Sequence, residues 1–149
     1  MDWKQFTSIK EEVFNSITHG LGALLGIFFT IRLLTYDHVK NDPVRILGFA
    51  IFGATIIIFY IISTLFHSLT FTKARKVFKI LDHIFIFLLI AASYTPFVLI
   101  LLRGTGWGLL FLVWTVSILG VIFKILFHSK FDKLSVIFYL VFGWLSIFI

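Results

Sequence analysis

The chain has 149 residues, of which 60% are hydrophobic and only 13% are charged, and its mean hydropathy is +1.06. A soluble globular domain is excluded, because about a quarter of the residues in such domains are charged. The net charge of +6 would suggest a nucleic-acid partner in a soluble protein, but topology and anionic lipid headgroups explain basic residues in short membrane loops, so we expect no nucleic-acid binding.

Five apolar runs follow one another, and each of the first four can cross about 30 Å of hydrocarbon as a helix. The connections between the runs are too short for a soluble domain. We therefore predict an all-α fold, a polytopic transmembrane helix bundle that forms a single membrane domain over residues 1–149. The fifth run is short and lacks a polar flank, so we expect the sequence to be a fragment. The predicted spans lie near residues 17–36, 46–69, 80–102, 107–127 and 134–149.

Lysine and arginine are concentrated on one side of these spans. The N-terminal segment and the second and fourth loops carry most of them, and the fourth loop is taken to include Lys124. Positively charged short loops stay on the cytoplasmic side of a membrane. We therefore predict a cytoplasmic N-terminus and a cytoplasmic connection between the second and third spans.

The inner end of the first span carries three polar side chains on one helical face. Glu12, Asn15 and His19 have the spacing i, i+3, i+7. An alternative for Glu12 is a first-turn acid that interacts with the helix dipole. Gly22 and Gly26 follow, four residues apart, and indicate close helix packing.

Ser63 and His67 stand i, i+4 apart at the inner end of the second span. Both side chains have an alternative that involves no chemistry. His67 could be an interfacial histidine among lipid headgroups, and Ser63 could donate to the backbone carbonyl of Phe59.

Asp82 and His83 begin the third span, on the same predicted side of the membrane. A charged residue at mid-depth costs roughly 2.5 to 3.5 kcal/mol on insertion scales, so it usually has a partner inside the bundle. The alternative for Asp82 is again a first-turn acid. Further along this span, Pro96 is expected to kink the helix.

Histidine, aspartate and serine at the inner ends of packed helices suggest a metal site, and zinc fits these ligands best. A catalytic zinc needs three protein ligands, and no two histidines of the chain have the spacing of a helical ligand pair. A pore is a competing interpretation, since polar groups between helices can line a water path. The concentration of polar groups at one end favours a one-sided pocket.

Three ordered segments resemble the hemolysin III family, the bacterial branch of the progestin and adipoQ receptor superfamily that includes the adiponectin receptors. They are EEVFNSITHGLG at 11–22, the S-x-x-x-H from Ser63 to His67, and LDHIFIFLLIAASYTPF at 81–97. The resemblance implies a seven-helix bundle in a cell membrane, here a bacterial plasma membrane, with its N-terminus inside.

The resemblance also implies roles for individual residues. It makes His67 a zinc ligand, lets Asp82 contact the zinc-bound water, and places Ser63 beside them. The family's two other zinc ligands form an H-x-x-x-H pair on the seventh span, and this sequence stops in its fifth, so a complete Zn²⁺ site would need two further histidines. We expect Glu12, Asn15 and His19 to form a supporting polar shell.

The leading hypothesis is a zinc-dependent hydrolase that cleaves an amide or ester bond of a membrane lipid through a metal-bound water, as the resemblance to hydrolases of ceramide-type lipids implies. The family name supports an alternative, a pore-forming cytolysin or channel. A third hypothesis is a receptor-like membrane protein in which zinc is structural.

Overall fold

The computed structural model describes residues 3–127 and 132–144, and it is helical almost throughout these ranges. Four of its helices are long and apolar enough to span a membrane, which agrees with the predicted polytopic bundle. A further helix covers all of the described part of the fifth predicted span, whose residues 145–149 lie outside the described ranges. The helices are α1 (Trp3–Thr35), α2 (Asp37–Lys40), α3 (Pro43–Ser68), α4 (Arg75–Leu101), α5 (Trp107–Phe127) and α6 (Asp132–Trp144).

Helices α1 and α4 begin earlier than the hydropathy pattern predicts. No glycine or proline interrupts the polar N-terminal segment, so α1 continues through it from Trp3. Glu12 and Asp82 consequently lie beyond the first turns of their helices. The alternative in which either carboxylate is a first-turn acid is therefore wrong.

The long helices pack in chain order, α1 on α3, α3 on α4 and α4 on α5, with α6 also touching α4. Helix α4 contacts α3, α5 and α6, and about half of its apolar segment is buried. One buried cluster joins α4 to α5 and α6, and it consists of Ala91, Tyr94, Val98, Val113 and Phe142. The outward faces of α1 and α5 remain apolar and exposed, as expected of surfaces that contact lipid.

Glycines allow close approach between neighbouring helices. A Cβ atom at Gly22 would stand 2.9 Å from ring carbons of Tyr60 in α3, in agreement with the close packing predicted for this segment. Between α3 and α4 the same role falls to Gly48, where a Cβ atom would stand 2.9 Å from Cα of Pro96. Helix α4 continues past this proline to Leu101. Because Gly48 approaches its backbone, Pro96 is part of the surface on which α3 packs.

The N-terminal end of α3 is capped by a side chain. Asp42 accepts hydrogen bonds from the backbone amides of Val44 at 3.0 Å and Arg45 at 3.3 Å, and it pairs with Arg103 from the α4–α5 connection. Partial burial acts to raise the pKa of Asp42, but these amides and the Arg103 guanidinium outweigh it and lower the pKa below its ordinary value of 3.8.

One basic residue that the sequence analysis assigned to a loop lies within a helix. Lys124, counted with the fourth loop, lies in the last turn of α5 and is only 2% exposed. The charge that it contributes is therefore inside the bundle rather than in a membrane-surface loop.

Candidate functional site

Polar side chains from three helices meet at one end of the bundle. The N-terminal half of α1, the C-terminal end of α3 and the N-terminal part of α4 reach this end together, because neighbouring helices in the row run in opposite directions. The structure thus brings together five of the residues that the sequence singled out. These residues are Glu12, His19, Ser63, His67 and Asp82.

A short polar contact joins α1 to α3. Nδ1 of His67 lies 2.6 Å from Oε2 of Glu12, and the two side chains are only 15% and 16% exposed. The guanidinium of Arg75 donates to the other oxygen, Oε1. An ionised carboxylate can only accept hydrogen bonds, so Nδ1 of His67 carries the proton, and the lone pair of the neutral ring is on Nε2.

This arrangement differs from that of an interfacial histidine among lipid headgroups. A histidine surrounded by headgroups would be exposed and would have no fixed partner within the protein. Instead the ring is held by a carboxylate through one nitrogen, with the other nitrogen available, which is the arrangement usual for metal-binding histidines.

A second pair connects the same two helices, one turn deeper along α3 and about two turns deeper along α1. Nδ1 of His19 lies 2.7 Å from Oγ of Ser63, whose residue is 2% exposed. Ser63 therefore uses its hydroxyl between helices, and the alternative bond to the carbonyl of Phe59 is not the one formed. The rings of His19 and His67 are in edge-to-face contact, with their centroids 5.3 Å apart.

Asp82 approaches from α4. Its Oδ1 atom is buried, and no described group donates a hydrogen bond to it. The Asp82 carboxylate lies near the ring of His19. A buried acceptor without a donor costs about 1 to 3 kcal/mol, so this oxygen marks a place where a ligand or water would be stabilised.

The side chains of two polar residues at this end make no described contact with the cluster. The side chain of Asn15, predicted to belong to the supporting polar shell, makes no hydrogen bond with another described group, although its backbone carbonyl accepts one from Thr18 at 3.1 Å. Nδ1 of His83 lies 2.6 Å from the carbonyl oxygen of Lys79 in its own helix. His83 is therefore separate from the cluster.

Sequence reasoning missed Arg75. It was counted only as a basic loop residue, yet it begins α4 and forms an ion pair with Glu12. The available signal was its spacing, because Arg75 and Asp82 are seven residues apart and so share one face of a helix.

A cavity of about 260 Å³ adjoins the Glu12 and His67 pair. Ser16 and Ser68 contribute polar atoms to its lining and are joined by a hydrogen bond of 2.6 Å. The remaining lining is largely apolar, with Val13 from α1 among the residues. The cavity therefore combines an apolar wall with a polar end next to His67.

The donor groups at this end of the bundle fit a metal ion only in part. Among the described residues, no three His, Cys, Asp or Glu side chains are placed to hold one ion together. What the site offers is one imidazole oriented by a carboxylate, with a buried carboxylate oxygen nearby. These groups fit one ligand of a zinc site and its surroundings, but not a complete ligand set.

Two bacterial proteins are similar to the chain over most of its length. Hemolysin-3 of Bacillus cereus is 46% identical over 140 residues, which is 93% of this chain and 64% of that protein. The Hemolysin-3 homolog of Bacillus subtilis (strain 168) is 44% identical over 141 residues, 94% of this chain and 66% of that protein. The chain thus spans slightly less than two thirds of the length of these curated relatives.

More distant similarity extends to animals. The human monocyte to macrophage differentiation factor is 29% identical over 102 residues, which is 63% of this chain and 42% of that protein. No solved structure gives a significant match. The family described as Haemolysin-III related matches residues 7–149. With its four helices able to span a membrane, the chain belongs to the Haemolysin-III related family and is a multi-pass membrane protein.

Proposed function

We propose that the protein is a zinc-dependent membrane hydrolase that cleaves an amide or ester bond of a lipid. The observation that carries this proposal is the presence of two groups at the same end of the bundle. One is the His67 ring, whose Nδ1 is held by Glu12, and the other is the buried oxygen of Asp82, to which no described group donates.

His67 would hold the zinc through Nε2, since Nδ1 is engaged by Glu12. Zinc, when bound, would supply the Lewis acid that activates water toward attack on a carbonyl carbon. The described residues offer one ligand of this kind, so the remaining ligands would come from outside them.

Asp82 and Ser63 would act on the reacting groups. The buried Oδ1 of Asp82 can orient the attacking water, accept its proton, and later return that proton to the leaving amine or alcohol. The hydroxyl of Ser63 is oriented by His19, and it can hydrogen-bond the water or the substrate carbonyl.

A lipid is the substrate class that the surroundings favour. The site lies at the end of a bundle whose outer faces are apolar, and the adjoining cavity has apolar side chains from α1 beside polar atoms. An amphiphile can place its acyl chain along such a wall and its polar linkage next to His67.

Zinc content tests the proposal. In protein expressed from its complete coding sequence, we expect zinc to co-purify and His67→Ala to abolish it, whereas His83→Ala, a histidine outside the cluster, should retain it. Hydrolysis of amide and ester lipids in vesicles should fall with His67→Ala. Equal zinc content in wild type and His67→Ala would refute this site.

A second candidate is a pore, and the observation in its favour is the name Hemolysin-3 carried by the similar Bacillus proteins. Ion flux through reconstituted vesicles that is unaffected by His67→Ala and by zinc chelation would support it. Absence of flux would count against it.

A further inference from the structure

We propose that the ion pair between Glu12 and Arg75 positions the site, and that Arg75 is a positioning residue for both His67 and Asp82. This inference rests on the proposed function, in which these two residues act on zinc and water. Arg75 itself would touch neither the substrate nor the reacting atoms.

The two carboxylate oxygens of Glu12 bind side chains of different helices. Oε2 accepts from Nδ1 of His67 in α3, and Oε1 accepts from the guanidinium of Arg75 in α4. One carboxylate from α1 thereby joins all three helices that carry the site. With both oxygens engaged, the carboxylate cannot rotate without breaking a charge-assisted bond, so the direction from which it meets His67 is fixed.

Arg75 is held by more than its charge. Its guanidinium carbon lies 5.2 Å from the ring centroid of Phe66, the residue before His67. A planar guanidinium can stack on an aromatic ring and form an ion pair at the same time. A lysine ammonium cannot reproduce both contacts. The stacking brings Arg75 back to the helix whose histidine it supports.

The position of Arg75 along α4 adds the second consequence. Arg75 and Asp82 are separated by seven residues, about two helical turns, and they lie on one face of α4. The contact between Arg75 and Glu12 therefore fixes how far α4 is shifted along α1 and how it is rotated about its own axis. This shift and rotation set the position of Asp82 relative to His19. A single contact at the membrane surface thus sets the geometry of a carboxylate inside the bundle.

The competing explanation is that Arg75 is one of several basic residues that orient the protein in the membrane. Lys76 provides the matched control, since it has the same charge, follows Arg75 directly, and is exposed. A role in topology is shared by both residues, whereas positioning belongs to Arg75 alone.

The experiment compares Arg75→Ala, Arg75→Lys and Lys76→Ala in protein from the complete coding sequence. Zinc affinity is measured by competition with a chelator, and the tautomer of His67 by ¹⁵N chemical shifts of the metal-free protein. We expect both Arg75 variants to weaken zinc binding by about tenfold or more and to reduce the Nδ1–H population of His67, while Lys76→Ala changes neither.

Arg75→Lys keeps the charge that governs insertion, so its effect does not depend on misfolding of Arg75→Ala. Wild-type zinc affinity and an unchanged His67 tautomer in Arg75→Lys and Arg75→Ala would overturn the inference. If the wild type binds no zinc, the proposed function fails, and the tautomer measurement still decides whether Arg75 positions His67.

Discussion

His67 and Asp82 are held in opposite ways within the same cluster. The histidine has a fixed partner on one ring nitrogen, whereas the aspartate has a buried oxygen that receives no hydrogen bond from the part of the chain that the structure describes. An unsatisfied buried carboxylate lowers the stability of the folded protein. Functional sites often contain groups that lower the stability of the fold, and the buried oxygen of Asp82 fits this pattern.

This contrast predicts the effect of Asp82→Asn. The neutral amide is less costly to bury than an unpaired carboxylate, so the variant should raise the free energy of unfolding of the metal-free protein by about 1 kcal/mol. Lipid hydrolysis should be lost. Thermal unfolding in detergent after chelation measures the first effect, with Asp37→Asn as a control, since the Asp37 side chain is 81% exposed. A less stable Asp82→Asn protein would contradict the prediction.

Single residues were predictable from the sequence to different degrees. The meeting of Glu12, His67 and Asp82 followed from charge distribution, because each lay near the end of a span assigned to the same membrane side. The partner of Ser63 did not follow, since a bond to its own helix and a bond to His19 are both compatible with the sequence. Arg75 was missed because topology already explained its charge.

At the scale of helices, hydropathy located the spans but not where the helices begin. A hydropathy window reports where side chains are apolar, while a helix continues as long as its backbone hydrogen bonds do. Polar turns at the start of α1 and α4 therefore escaped the prediction. The polar start of α4 carries Arg75, whose contact with Glu12 joins the helices, whereas Glu12 was already predicted to lie on a helical face at the inner end of the first span.

The α3 and α4 interface allows a prediction for Gly48. A Cβ atom there would press against the backbone of Pro96, which cannot move aside as a flexible side chain would. Gly48→Ala should therefore lower the free energy of unfolding by about 1 to 3 kcal/mol. Gly108→Ala is the matched control, because a Cβ atom at Gly108 meets nothing within 4 Å. Equal thermal stability of the two variants would show that this contact can relax.

At the scale of the whole molecule, the orientation in the membrane remains a prediction. It can be tested directly because the chain has no cysteine, so each introduced cysteine gives an unambiguous signal. Lys73 lies between α3 and α4, and Thr105 lies between α4 and α5; both are exposed. In intact cells an impermeant maleimide should label Thr105→Cys, and should label Lys73→Cys only after permeabilisation. The reverse pattern would place the N-terminus outside.

The packing of the long helices in chain order has a consequence for biosynthesis. Helices α3, α4 and α5 each pack on the long helix inserted before them, so no described contact of the polar cluster depends on α5 or α6. The ribosome has supplied Glu12, His67, Arg75 and Asp82 before any of α5 is made. The polar groups can therefore be paired with one another early, which limits the time during which they face lipid alone.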